Sequence, residues 1–520
     1  MHNKKSIADI LKNCVWIIWG VFFVYTFGCM LFLKKIIEMP STNATNGHNI
    51  IYFLIAFVIS FIMFILLKGI WKTKTQMTER KFWICMLVCT VLLYVIQLIV
   101  IKCIWFETGW DVTCVYYDAV HRAEDGVLLG SHGYFTKHPN NLFITFIFAV
   151  VDKILCIIGI HRYYLVLCCL GAFLINIAGV LAIYIAKKLS QSYRTAVVIW
   201  GIYAFFIALS PWMCVPYTDV YAIFFPIAIY ALYLAEPKKK WMNILRWIFI
   251  GFLTVVGYYI KPTASIITMA IAIDLVLKIL DNKQEWKRPV FSGIIIASGC
   301  LLGLGFYKFG SNYMGFVPDE DEAFPVAHYL MLGQNDRTYG SFAGEDWTFI
   351  TSYDTKEEKV KYSLEGAKER FTARGIKGNI RFFSIKNMVN YDNATFSWAY
   401  EGEFFKDISS GTTGLCKVLK SIYYPDGEHY KTYATICQGI WLIIILGCIG
   451  ILWDKNKRQM LVPCMAIIGL TIFLLIFESR GRYLFLYTPV YVTIGCLGIR
   501  NIYSKIWEKI NGMFKHSDCA

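Results

Sequence analysis

The chemistry-bearing residues of this chain stand in a few short polar stretches, each at the edge of an apolar run. FETGWDVTCVYYDAVHRAEDG, at 106–126, places Glu107, Asp111, Asp118, Glu124 and Asp125 together in a chain that is only 17% charged. TKHPNN follows at 136–141. There His138 and Pro139 interrupt one element, and Asn140 and Asn141 are residues that cap the next helix. An acid and a histidine brought to one surface can form a general base or a cation site. In SPWMCVPYTDVYA, Tyr217 and Asp219 open a second apolar run, and an acid at a helix N-terminus is favourable in itself. In YYIKPTAS, Pro262 ends one helix and begins another beside Lys261, Thr263 and Ser265, an arrangement suited to an anionic headgroup. FESRGRY carries Arg480 and Arg482, whose guanidinium forks match phosphate oxygens, with Glu478 as a rival partner.

These residues sort by chemistry. Asp111 and Asp219 are the candidate catalytic carboxylates; Lys261, Arg480 and Arg482 are the candidate phosphate ligands. His138, Asn140, Glu107, Tyr217 and His328, the last in FPVAHYLMLGQNDRTYGSFAGED, are expected to shape the walls. No CxxC pair or zinc-ligand spacing occurs, and most of the 17 cysteines sit inside apolar runs, where Cys behaves as a small hydrophobe. No cofactor is called for. A divalent cation on Asp111, Asp219 and His138 is compatible with the pattern but not required, because fixed cations can meet an anionic charge.

The elements that must position these residues are helices in lipid. The 520 residues are 57% hydrophobic with a mean hydropathy of +0.51, and the apolar residues come in blocks of about 20, the length that spans a bilayer as helix. The expectation is an all-α polytopic membrane protein with about twelve spanning helices. The apolar block near the N-terminus reads as a retained anchor rather than a removed signal peptide. The net charge of +15 gathers in short loops, including Lys4 and Lys5, Lys68 to Lys81, 187–194, 238–246, 283–288 and 455–458. This is the positive-inside pattern and speaks against nucleic acid as a partner. Keeping all of those loops cytoplasmic requires that 142–160 not cross. Asp152 and Lys153 would break that block into pieces too short to span, lying in the outer interface or dipping in and returning. The polar stretches then all face outward, as does a long loop before 435. The chain divides into N-terminal helices (1–104), an outer loop with the acid and in-plane helices (105–162), a transmembrane core (163–309), a mixed extracellular loop region (310–434) and C-terminal helices with a tail (435–520). Within the loop region, 355–375 has apolar residues Val360, Leu364, Ala367 and Phe371 near helical spacing.

The order of these motifs resembles the C-type (GT-C) polyprenyl-phosphate-dependent glycosyltransferases, which include protein O-mannosyltransferases and aminoarabinose transferases. Their first outer loop reads roughly Asp-Glu…Ala…Gly…His-Pro-Pro-Leu. Here it reads Asp111-Val112…Ala119…Gly126…His138-Pro139-Asn140-Asn141. The likeness covers about 105–280 and 435–500, and the chain departs from it at Val112, Asn140 and Asn141. The resemblance implies a polyprenyl-phosphate sugar donor and a cell-surface acceptor amid membrane lipids. It implies inverting transfer on the outer face of a multi-pass bacterial plasma-membrane protein, with Asp111 as base. The alternative is a transporter or lipid flippase, which places ionisable groups nearer the midplane.

Overall fold

A computed structural model describes residues 6–33, 48–70, 78–129, 133–317, 319–401 and 411–517. The described residues form helices and no sheet. The first group is α1 (Ile7–Phe32), α2 (Asn49–Ile70), α3 (Glu79–Ile104), α4 (Trp110–Glu124), α5 (Tyr134–Lys137), α6 (Leu142–Ile157) and α7 (Tyr163–Ser190). The core continues with α8 (Tyr193–Tyr203), α9 (Thr218–Ala222), α10 (Phe224–Leu234), α11 (Lys240–Ile260), α12 (Ile266–Asp281) and α13 (Lys287–Met314). The loop region holds α14 (Val326–Leu332), α15 (Gly344–Thr351), α16 (Lys356–Ala373), α17 (Gly375–Tyr391) and α18 (Gly414–Tyr423). Last come α19 (Tyr430–Gly450), α20 (Leu461–Ile476) and α21 (Thr488–Ser517).

Eleven described helices are long and apolar enough to cross a membrane. Lipid supplies no backbone partners, so such segments must bond internally as helix. Two expected spans are shorter than full crossings. Tyr193–Ala208 ends in a π-type turn, and Thr218–Leu234 is interrupted at Ile223, three residues before Pro226. A tight turn, Pro211–Cys214, joins them.

The basic loops share one end of the bundle. Lys12 pairs with Asp281, Arg458 lies 3.6 Å from Asp9, Lys187 pairs with Glu79, and Lys188 lies 3.4 Å from Glu236. Lys4, Lys5, Lys72 and Lys74 lie outside the described residues. The helices α3 and α7 run antiparallel along their whole length. Glu79 meets Lys187 at the basic end, Gln97 meets Asn176 midway, and Trp105 faces Tyr164 at the other end. The chain between them, 105–162, therefore leaves and re-enters at that second end, here the site end.

This fixes α6, which with the turn before it is one of the eleven by length and composition. It packs beside α4, with Lys153 donating to the Ala123 carbonyl at 2.9 Å, and its aromatic residues meet the last turns of α13 and α11 and the short α9: Phe143 on Tyr307 and Tyr259, Phe146 on Tyr313, Phe148 on Tyr221. It lies along the site end rather than through the bundle. The expected break at Asp152 and Lys153 does not occur; the helix is continuous there because α4 buries Asp152 and takes up the lysine.

Two parallel helix pairs are drawn together by glycine. A methyl group on Gly251 would lie 2.0 Å from the Ile296 carbonyl oxygen, and one on Gly299 2.0 Å from that of Ile248, where α11 crosses α13. In the α19–α21 pair, a methyl on Gly447 would lie 1.9 Å from the Gly495 oxygen, and one on Gly498 1.8 Å from that of Gly447. Small residues at such crossings let backbones touch where no water-driven burial holds helices together.

The loop region expected to be mixed is helical among its described residues. Its 355–375 segment forms α16, with the buried stripe rotated from the expected one. Ala367 faces inward as expected, but Lys359 and Ser363 join it there, whereas Leu364 and Phe371 are exposed. Small side chains at 363, 366 and 367 allow α16 to approach α14 closely. Arg370 then reaches the Met331 carbonyl at 2.9 Å and the buried carboxylate of Asp346.

Candidate functional site

Three backbone turns and one loop converge at the site end. The turn opening α9 supplies Tyr217 and Asp219, the break between α11 and α12 supplies Lys261, and the turn after α20 supplies Glu478, Arg480, Arg482 and Tyr483. The loop after α17 adds Glu401. Each is a place where a helix ends and polar groups can leave the lipid-facing surface.

Asp219 is almost fully buried and is shared between two cations. One carboxylate oxygen takes the Lys261 ammonium; the other accepts from Arg482 Nη1 at 3.3 Å. Glu401 bridges the two arginines, lying 2.6 Å from Arg480 Nη1 and 3.4 Å from Arg482 Nε. The latter contact is an ion pair without an aligned hydrogen bond. Glu478 accepts from Arg480 Nε and from the Tyr483 hydroxyl, both at 2.9 Å. Three carboxylates thus meet three cations, and aromatic rings pack around them. Lys261 Nζ sits 4.3 Å over the Tyr483 ring, and the Arg482 guanidinium 4.3 Å over Trp110. Burial pushes the Lys261 ammonium down to about 8, against the pull of the Asp219 carboxylate. Burial would raise Glu478, but the charges and hydrogen bonds of the arginines and Tyr483 outweigh it and hold the carboxyl below its usual range.

Asp111 stands differently. It lies in the first turn of α4 and is half-buried, and its Oδ2 accepts from the Tyr217 hydroxyl at 3.2 Å. That hydroxyl also accepts from Asn141 Nδ2 at 3.1 Å. Tyr217 therefore separates Asp111 on one side from Arg482 on the other, whose guanidinium is 5.6 Å from the Tyr217 ring. The N–H of Trp110 is buried without a hydrogen-bond partner among the described residues, as is the hydroxyl of Thr263 beside Lys261.

His138 borders this arrangement, with Nδ1 3.4 Å from the Tyr329 hydroxyl and its ring against Phe324. His328 packs on the other side of the contact with Phe324. Burial lowers both imidazoles, that of His328 to about 4, which leaves His328 neutral at pH 7. Two expected wall residues are placed elsewhere. Asn140 is exposed and reaches only Asn141 Oδ1, at 3.3 Å, so the inward bond falls to Asn141. Glu107 accepts from Tyr117 at 3.1 Å on the exposed side. The cation set of Asp111, Asp219 and His138 does not assemble, since both Asp219 oxygens are taken, and no three-ligand group occurs among the described residues. Glu401 was not foreseen. Its one sequence signal is an acid that closes an aromatic stretch, SWAYE.

A family model described as conserved hypothetical integral membrane protein matches residues 7–502. The chain belongs to that family. The match takes in every element of the site from Asp111 to Arg482 and agrees with the many apolar helices: this is a multi-pass integral membrane protein. No curated protein and no solved structure matches the chain.

Proposed function

We propose that the protein is an inverting membrane glycosyltransferase that moves a sugar from a polyprenyl-phosphate donor to a cell-surface acceptor. The site end is the outer face, because the loops at the opposite end carry the lysines and arginines that the positive-inside tendency keeps in the cytoplasm. One observation carries the reading: Asp111, a carboxylate with no cation on it among the described contacts, stands one tyrosine away from a cluster of three cations. Asp111 takes the proton of the acceptor hydroxyl as that oxygen attacks the sugar C1. The phosphate leaves towards Lys261, Arg480 and Arg482. Those cations rest on Asp219, Glu401 and Glu478, so the donor phosphate enters by exchange. It takes over hydrogen bonds that the carboxylates otherwise hold, which spares the resting protein three unpaired buried charges. Asp219 thereby positions the cations rather than acting as a second base.

A second reading, a transporter or flippase, draws on one feature. The glycine-packed pair α11–α13 runs from the basic end to the site end, and the pair α19–α21 runs back, which suits folds built from oppositely oriented units. Reconstitution in liposomes separates the two. With polyprenyl-phosphate sugar and acceptor on one side, sugar transfer that is lost in Asp111→Asn supports the transferase. Lipid movement across the bilayer without transfer would replace it with the transporter.

A further inference from the structure

At the site end of α3, Cys103 meets Cys416 of α18 with their sulfurs 2.9 Å apart, although 313 residues separate them in sequence. Both are buried. A covalent bond of about 2.05 Å needs an approach of less than about 1 Å more. The surroundings are built for reactivity rather than for inert packing. Thr413 caps α18, its Oγ1 accepting from Cys416 N at 3.3 Å and donating to Cys416 Sγ at 3.0 Å. Cys416 lies in the first turn of α18, where the positive helix end favours a thiolate. Lys420 follows one turn later, bonded to the Gly411 carbonyl at 3.0 Å. Hydrogen bonds from Cys103 and Thr413 lead in lowering the Cys416 thiol below its ordinary value. Gly411 leaves the space: a methyl there would lie 2.4 Å from Cys416 Sγ.

We propose that Cys103 and Cys416 are a disulfide-forming site that fastens α18 to the end of α3. The oxidant is a disulfide of the thiol-exchange class. The Cys416 thiolate attacks one of its sulfurs and expels the other. Cys103 loses its proton and attacks Cys416 Sγ, expelling the first sulfur. One S–S bond breaks and one forms, the oxidant gains two electrons, and the two thiol protons pass to its released sulfurs. The link bears on the candidate site through a short chain of contacts. Tyr424 donates to the Ile104 carbonyl at 3.1 Å, and Trp398 donates to the Tyr423 carbonyl at 2.7 Å. Three residues beyond Trp398 is Glu401, which holds both arginines. The proposal does not depend on the reaction assigned above. It does require that the site end face an oxidising compartment.

The test uses full-length protein in its own membranes. Free thiols are blocked with N-ethylmaleimide before any reductant is added, and the digest is read by mass spectrometry without reduction. The expected product is the peptide containing Cys103 joined to the peptide containing Cys416. Cys103→Ser and Cys416→Ser should each abolish it and leave the remaining thiol maleimide-reactive, while Cys85→Ser, on the exposed face of α3, keeps it. Recovery of both cysteines of the unsubstituted protein as maleimide adducts, or either one joined to a different cysteine, overturns the proposal. That measurement decides even if a serine variant does not fold.

Discussion

The buried cluster around Asp219 and the rim around Asp111 contain the same kinds of side chain, yet they are bonded in opposite ways. Asp219, Glu401 and Glu478 each hold at least one cation at hydrogen-bond or ion-pair distance. Asp111 holds a tyrosine hydroxyl. A carboxylate locked between two cations has both oxygens occupied, whereas one held by a single neutral donor leaves lone pairs open to a substrate hydroxyl. The contrast separates a group that organises charge from a group that can react, and it does so without reference to position in the sequence.

The sharpest way to break that contrast is Asp111→Asn. It keeps the shape and an oxygen for Tyr217 but removes the base. Turnover with a polyprenyl-phosphate sugar should fall by roughly 10²–10⁴-fold, while thermal stability in detergent shifts by no more than about 0.5 kcal/mol. Near-normal turnover in folded protein would return the role of base to Asp219. The reverse pattern is expected of Asp219→Asn, which leaves Lys261 and Arg482 buried with less than their counter-charge. Removing one partner of such a pair costs about 3–5 kcal/mol, read as a lowered Tm and a loss of folded protein. An Asp219→Asn protein as stable as the parent would mean that the cluster is not paired at rest.

Tyr217→Phe tests the connection between the two regions. It deletes the hydroxyl that joins Asn141 to Asp111, at a cost of about 0.5–1.5 kcal/mol. Turnover should fall by about tenfold, the rate equivalent of one such bond. A loss as large as that of Asp111→Asn would make the tyrosine itself a reacting group.

Lys386 supplies a useful control, a buried cation given carbonyls instead of a carboxylate. Its ammonium donates to Gly333 and to Phe477, the latter at 2.7 Å, and burial pushes it down to about 7. Since the folded value lies below the unfolded one, the unfolded chain binds more protons between them. Stability should therefore rise as pH increases from about 7 towards the ordinary lysine value of about 10.4. Thermal unfolding followed across that range should show a shallower rise in Lys386→Met. An unchanged slope would place the lysine's charge in contact with an acid or with water.

Much of the candidate site was legible because charge is conspicuous in a lipid-facing sequence. Asp111, Asp219, Lys261, Arg480 and Arg482 each stand where an apolar run stops, and the three turns that carry Asp219, Lys261 and the arginines do converge. The bonding between them was not legible. Nothing in SWAYE announces that Glu401 bridges two arginines held on a turn almost eighty positions later. Asp152 and Lys153 looked like a helix break because their burial by α4 is a tertiary event. In α16 the apolar spacing favoured Leu364 and Phe371, yet small residues on a rotated stripe allowed the closer approach. The helices themselves were readable with few exceptions, since hydrophobic length is a local property and register between helices is not.

The two glycine seams also act as rulers. With carbonyl oxygens facing bare α-carbons, α19 cannot slide along α21, nor α11 along α13, by even one residue without driving a side chain into the partner's backbone. The middle helices α12 and α20 lie against each other at Ile266 and Gly469, outside both seams, and each carries one charged turn of the cluster. The mechanical freedom of the core is thereby sorted. Two pairs are indexed by backbone against backbone, whereas α12 and α20, whose site-end turns Asp219 clasps, meet at Gly469 through the Ile266 side chain. Loading of the clasp by an anion would be felt first as a change in the spacing of α12 and α20, a displacement that labels at their site ends can record.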